Sequence, residues 1–176
     1  MKKVQVSIFI GMFLFGFNLV YAETQLLNYN TRNIEMKYPT SWTKQKPTSQ
    51  YPGLVVAFLS ARENAGDIFQ ENVNLIIQDL SAQPMTLADY TLLATNQVAK
   101  LILESKMLES ADFTWNGLPA HFLVYKGRQS QLELKFYQAY TIKDNKAYLI
   151  TYTAESESYD KFLNEAKLII DSVKIK

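Results

Sequence analysis

Few side chains in this sequence are suited to chemistry. It has one histidine and no cysteine in 176 residues, which removes thiol nucleophiles and thiolate metal cages. His121 alternates with Leu123 and Tyr125 in a segment that reads as a strand. One imidazole cannot build a multi-histidine metal site, so it is expected as a partly buried, hydrogen-bonded structural group. Serine–histidine catalysis would need a nucleophile on a strained turn, and no Gly-x-Ser-x-Gly occurs. Ser-x-x-Lys occurs at Ser41-Trp42-Thr43-Lys44 and Ser158-Tyr159-Asp160-Lys161, without the companion Ser-Asp-Asn and Lys-Thr-Gly elements. Both read as chance. Glu63, Asp67 and Glu71 share one polar segment, and hard cations take several oxygen ligands. Their spacing fits no calcium loop, and Gly66 is not where such a loop turns, so a solvated acidic loop is expected. No catalytic set, metal site or cofactor site emerges, and the chain reads as a non-enzyme.

Aromatic residues are the other resource. Tyr38, Trp42, Tyr125, Phe136, Tyr137, Tyr140, Tyr148 and Tyr152 lie in or beside strand-like segments, as core or cross-strand pairs. Tyr137 falls on the face opposite Phe136 and is the candidate for a protein interface.

These residues need a frame. Ile34–Tyr38 alternates like a strand and stops at Pro39. Thr43 to Gly53 reads as a loop, Leu54 to Leu59 and Val73 to Gln78 as strands, and Ala61 to Asn72 as a polar connection. Thr86-Leu87-Ala88-Asp89 offers a hydroxyl cap with a carboxylate three residues on. The helix it opens presents Leu87, Tyr90, Ala94, Val98 and Leu101 on one face and is expected to end near Ser105. Asn116-Gly117 separates Met107–Trp115 from Leu118–Lys126, the strongest short hairpin signal. Gly127 to Ser130 turns into Leu132–Ile142, where Leu132, Leu134, Phe136, Tyr140 and Ile142 share a face. Asp144-Asn145 turns into Ala147–Thr153. A last helix buries Tyr159, Phe162, Leu163, Ala166, Ile169 and Ile170, and Val173-Lys174-Ile175 can add an edge strand. Strands outnumber helices and hairpins join the later ones, so the fold class is α+β, with a mainly antiparallel sheet covered by helices.

The first residues are of another kind. Lys2 and Lys3 precede an apolar run from Ile8 to Val20, which closes on Val20-Tyr21-Ala22. That order is a secretory signal over residues 1–22, and processing is expected to start the mature chain at Glu23. Residues 23–33 read as a flexible lead-in and 34–176 as one domain. Losing Lys2 and Lys3 from 18 basic residues leaves 16 against 17 acidic ones. A charge this near zero, with no basic patch, argues against nucleic acid as partner. The absence of cysteine excludes a covalent lipid anchor at the cleavage site.

Five short patterns carry a family resemblance. Ile34-Glu35-Met36-Lys37-Tyr38-Pro39-Thr40-Ser41-Trp42 resembles the opening of the PsbP-like family, whose first strand ends in Tyr-Pro with Trp three residues after the proline. Glu71-Asn72-Val73-Asn74-Leu75-Ile76, Thr86-Leu87-Ala88-Asp89-Tyr90, Trp115-Asn116-Gly117-Leu118-Pro119-Ala120 and Ile169-Ile170-Asp171-Ser172-Val173 follow in the family's order. Together they span residues 34–175. The resemblance implies an α/β/α sandwich in which Tyr38, Pro39, Trp42, Asn116 and Gly117 have structural duties, Trp42 folding back to cap one end of the core. It also implies an exported accessory protein of the bacterial periplasm or envelope, similar to DcrB-related proteins, engaging a membrane-associated protein complex. The alternative it offers is an extrinsic photosystem II subunit in a thylakoid lumen, assisting assembly or calcium retention. The single histidine and the absence of a long basic lead-in separate this chain from the photosynthetic pattern, and no ligand residue carries over.

Overall fold

A computed structural model describes residues 24–47 and 52–176. The expected signal segment, Glu23 and residues 48–51 lie outside the described residues. Among the described residues, ten strands and two helices follow in order: β1 (Leu26–Asn30), β2 (Ile34–Pro39), β3 (Thr43–Gln45), β4 (Leu54–Leu59), β5 (Asn72–Asp79), α1 (Leu87–Leu101), β6 (Leu103–Trp115), β7 (Leu118–Gln129), β8 (Leu132–Lys143), β9 (Lys146–Glu155), α2 (Tyr159–Asp171) and β10 (Lys174–Ile175). Seven strands form one antiparallel sheet in the order β3-β4-β5-β9-β8-β7-β6, and β1-β2-β10 form a second, smaller sheet.

The large sheet is the middle layer. Its central strand β9 is buried from Ala147 to Ala154, and alternation sends successive side chains to opposite cores. On one face α1 brings Tyr90, Ala94 and Val98 onto Leu123, Tyr125, Leu134, Phe136 and Tyr140. On the other, α2 and the small sheet bring Ile34, Met36, Tyr159, Ala166, Ile169 and Ile170 onto Val56, Phe58, Val73, Leu75, Ile150 and Tyr152. The result is the α+β sandwich with helices on both faces.

α1 starts where its cap places it. Thr86 Oγ1 accepts from the Asp89 amide at 3.1 Å, while Asp89 Oδ2 accepts from the Thr86 amide at 3.3 Å. Each side chain satisfies an amide that the first turn leaves open.

Four expectations are corrected. Residues 24–33 are no flexible lead-in, because Leu26–Asn30 pairs antiparallel with Glu35–Pro39. Tyr29 lies edge-on to Phe58 and its hydroxyl donates to the Val55 carbonyl at 3.1 Å. Within the expected 43–53 loop, Thr43–Gln45 pairs with Ala57–Leu59. α1 ends at Leu101 rather than near Ser105, since Ile102 is extended and Leu103 already pairs with Arg128. Leu101, expected in the buried face, is therefore 72% exposed. Gly127 lies inside β7 instead of opening a turn, and the turn falls at Ser130, where φ is 57°. A side chain at 127 would run into Ile102 and the Leu103 carbonyl, so glycine is what allows the α1–β6 junction to lie on β7.

Candidate functional site

Two groups of side chains stand out, one on each face of the large sheet. The first is an aromatic row on the α2 face. Phe113 neighbours Trp115 at 6.5 Å between centroids, Phe122 meets Phe113 edge-on at 5.8 Å, and Tyr137 stacks on Phe122 at 5.3 Å. α2 closes the Trp115 end, where the indole N–H donates to the Ile170 carbonyl at 3.1 Å. At the Tyr137 end a cleft of about 340 Å³ stays open between helix and sheet. Phe122, Val124 and Tyr137 form its floor, Tyr159 and Leu163 its wall, and Glu109, Lys135, Asp160 and Lys167 its rim. Lys135 Nζ lies 3.9 Å from the Tyr159 ring centroid and 3.6 Å from Asp160 Oδ1. Burial first, then the charges of Asp171 and Glu109, pushes the Tyr137 hydroxyl up to about 12. It stays protonated at neutral pH and can donate a hydrogen bond. Tyr137 is thus a half-buried floor residue rather than an outward-standing one.

The second group surrounds the lone histidine on the α1 face. His121 is 8% exposed and its ring stacks on Tyr140 at 5.8 Å. Nδ1 lies 2.6 Å from Asp112 Oδ1, and Nε2 lies 2.8 Å from Ser110 Oγ. β6 supplies Ser110 and Asp112, two apart and therefore on one face; β7 supplies His121 directly across from Asp112. The histidine is buried and hydrogen-bonded, in line with its sequence reading. The serine and the aspartate were not grouped with it from the sequence. The two-residue Asn116-Gly117 turn was the signal available, because it pairs Trp115 with Leu118 and each step outward pairs the next residues. Counting back from it reaches Asp112 opposite His121.

Glu63, Asp67 and Glu71 line one pocket with Glu155, but each of these three carboxylates is engaged in its own contact. Asp67 accepts from the Glu63 amide at 2.9 Å and the Phe69 amide at 3.0 Å, so its carboxylate closes its own loop. Glu63 pairs with Lys161. Glu71, expected in a solvated loop, is only 1% exposed and accepts from Ser60 Oγ at 3.1 Å. Among the described residues no group of three acidic or imidazole side chains is placed to hold a metal ion.

Burial raises the Glu71 carboxyl, aided by the charges of Asp67 and Glu63 and opposed by its hydrogen bonds. The folded state then holds this proton more tightly than the unfolded chain does. Its contribution is fully present below the ordinary value of 4.5 and is lost as pH rises from there through the folded value. Glu71→Gln should therefore raise the melting temperature at about pH 7 and give no gain at about pH 4. Thermal melts at both pH values check this; an unchanged difference between them would contradict it.

Tyr38 stacks on Phe58 at 4.5 Å and Pro39 ends β2. Trp42 is 3% exposed, donates to Glu165 Oε2 at 2.6 Å and meets Phe162 edge-on at 6.4 Å. Asn116 and Gly117 take φ of 50° and 81°, as a two-residue hairpin turn demands. The Asn116 amide also donates to the Val173 carbonyl, tying the hairpin tip to the end of α2. The lysines of both Ser-x-x-Lys matches are engaged elsewhere: Lys44 lies over the Tyr29 ring and Lys161 pairs with Glu63.

This arrangement is the PsbP-like fold. The chain is similar to the cyanobacterial PsbP of Synechocystis, with a TM-score of 0.63 and 16% identity over 89% of this chain and 95% of that one. It is similar to a Pseudomonas aeruginosa protein, with a TM-score of 0.62 and 14% identity over 86% and 97%. It is also similar to LpqN of Mycobacterium tuberculosis, a protein involved in cell envelope biogenesis, with a TM-score of 0.62 and 12% identity over 88% and 92%. No protein-family model and no curated protein matches the sequence.

Proposed function

We propose that this chain is an exported accessory protein of the bacterial envelope that works by binding a membrane-associated protein complex through the α2 cleft. The observation that carries the reading is the cleft itself: an aromatic floor left uncovered by α2 and ringed by two lysines and two acids. An apolar aromatic centre inside a charged rim is the anatomy of a protein-binding surface. Export is supported by Lys2, Lys3 and the apolar run that precedes Ala22. An envelope setting is in keeping with the fold shared with LpqN.

The rim bears both signs of charge, so recognition rests on shape and aromatic contact more than on long-range attraction. Tyr137→Ala removes the floor ring. In capture from native envelope membranes, the folded variant should retain less than about one tenth of the partner recovered by the wild type, the mark of a hot spot. Near-cooperative thermal melting must accompany that loss. A folded variant with undiminished capture would take the cleft out of the interface.

A further inference from the structure

The Ser110–His121–Asp112 chain does more than a buried imidazole requires. Satisfying His121 needs a partner for each ring nitrogen, and any hydroxyl or carbonyl could serve. Here one nitrogen faces a carboxylate and the other a serine hydroxyl. With the proton on Nδ1, directed at Asp112, the Nε2 lone pair accepts from the Ser110 hydroxyl. A base joined to a hydroxyl, and oriented in turn by a carboxylate, is the constellation that makes serine a nucleophile. It is recognised by geometry rather than by sequence order, and here, against the expectation from the sequence, the serine lies on a strand instead of a strained turn.

Three further observations make the hydroxyl usable. Ser110 is exposed, on the terminal strand of the large sheet, so a substrate can reach it. Alternation counted from the two-residue hairpin turns the Ser110 and Asp112 amides toward the free edge, where they can donate to a developing oxyanion. Beside the imidazole, a cavity of about 510 Å³ is lined by Leu87, Ala88 and Thr91 of α1 together with Asp112, Pro119 and His121. The wall suits an acyl group of a few carbons.

We propose that Ser110, His121 and Asp112 form an acyl-transfer site that hydrolyses small carboxylic esters, an activity separate from the α2 cleft and on the opposite face of the sheet. Ser110 Oγ bonds to the ester carbonyl carbon while its proton passes to His121 Nε2. The carbon–oxygen bond to the alcohol then breaks, and the departing oxygen takes the proton from Nε2. Water, deprotonated by the same nitrogen, attacks the acyl-serine and releases the carboxylic acid, and the proton returns to Ser110. Asp112 stabilises the imidazolium in both halves.

The test uses the processed full-length chain, a fluorophosphonate probe and p-nitrophenyl acetate. Peptide mass mapping should place the phosphonyl group on Ser110, and the ester should give a burst of about one equivalent per chain. Ser110→Ala, a change at an exposed position, should melt like the wild type and lose both signals. His121→Gln should slow labelling by about 100-fold or more, the contribution of a general base, and Asp112→Asn should slow it by at least about 10-fold. Labelling that maps to another residue, or that proceeds at wild-type rate in folded Asp112→Asn, would overturn the proposal. So would no labelling at all in the folded wild type.

Discussion

Replacing Trp42 with alanine should destabilise the fold by about 3–5 kcal/mol, the range for deleting a fully packed large aromatic. The indole is 3% exposed and bridges two layers, since it follows β2 of the small sheet and packs on Phe162 of α2. Its N–H also donates to Glu165 Oε2 at 2.6 Å, so the truncation removes a charge-assisted hydrogen bond together with the packing. Trp42→Phe separates the two contributions: it keeps most of the packing and loses the hydrogen bond, and should cost about 1.5–3 kcal/mol. Chemical denaturation of both variants measures the difference. A loss under about 1 kcal/mol for the alanine variant would remove Trp42 from the core.

Gly127→Val should be the second large effect, at about 1–3 kcal/mol or more. A Cβ at this position meets the Ile102 side chain and comes within 2.8 Å of the Leu103 carbonyl oxygen. The side chain can turn aside, but the carbonyl belongs to backbone already paired with β7 through Leu103 and Arg128. Relief therefore means lifting the α1–β6 junction, and amide exchange of residues 102–106 should speed up together with the fall in melting temperature. A valine variant with wild-type stability would show that the junction yields freely.

Much of this frame was legible in the sequence because local chemistry and long-range packing agree. The capping box at Thr86 and Asp89, the turn at Asn116 and Gly117, and the shared face of Leu132, Leu134, Phe136, Tyr140 and Ile142 all lie where their types and spacing place them. The misses have physical causes. Leu26–Asn30 is polar in part and short, and its strand state depends on pairing with β2, which no local pattern encodes. Gly127 reads as a turn residue from its type, whereas its duty is close approach. Glu71 looks solvated by charge, and its burial follows from β4 and β5 closing over Ser60.

The sites divide in the same way. Alternation predicts that Tyr137 leaves the α1 face. It cannot say that α2 stops short of covering that tyrosine. Hairpin arithmetic places Asp112 against His121, but Ser110 reaches the imidazole only because the strand keeps its register as far as Glu109. The irregularity between Met107 and Glu109 comes one step later, and nothing in the residue types marks it.

The α2 cleft is the proposed binding surface. A photo-crosslinking amino acid placed at Lys167, on the cleft rim, should capture a membrane-associated protein from native envelopes. The same group at Leu92, which is 65% exposed on α1 across the sheet, should not capture it. Identical products from both positions, or products from Leu92 alone, would exclude the cleft as the binding surface.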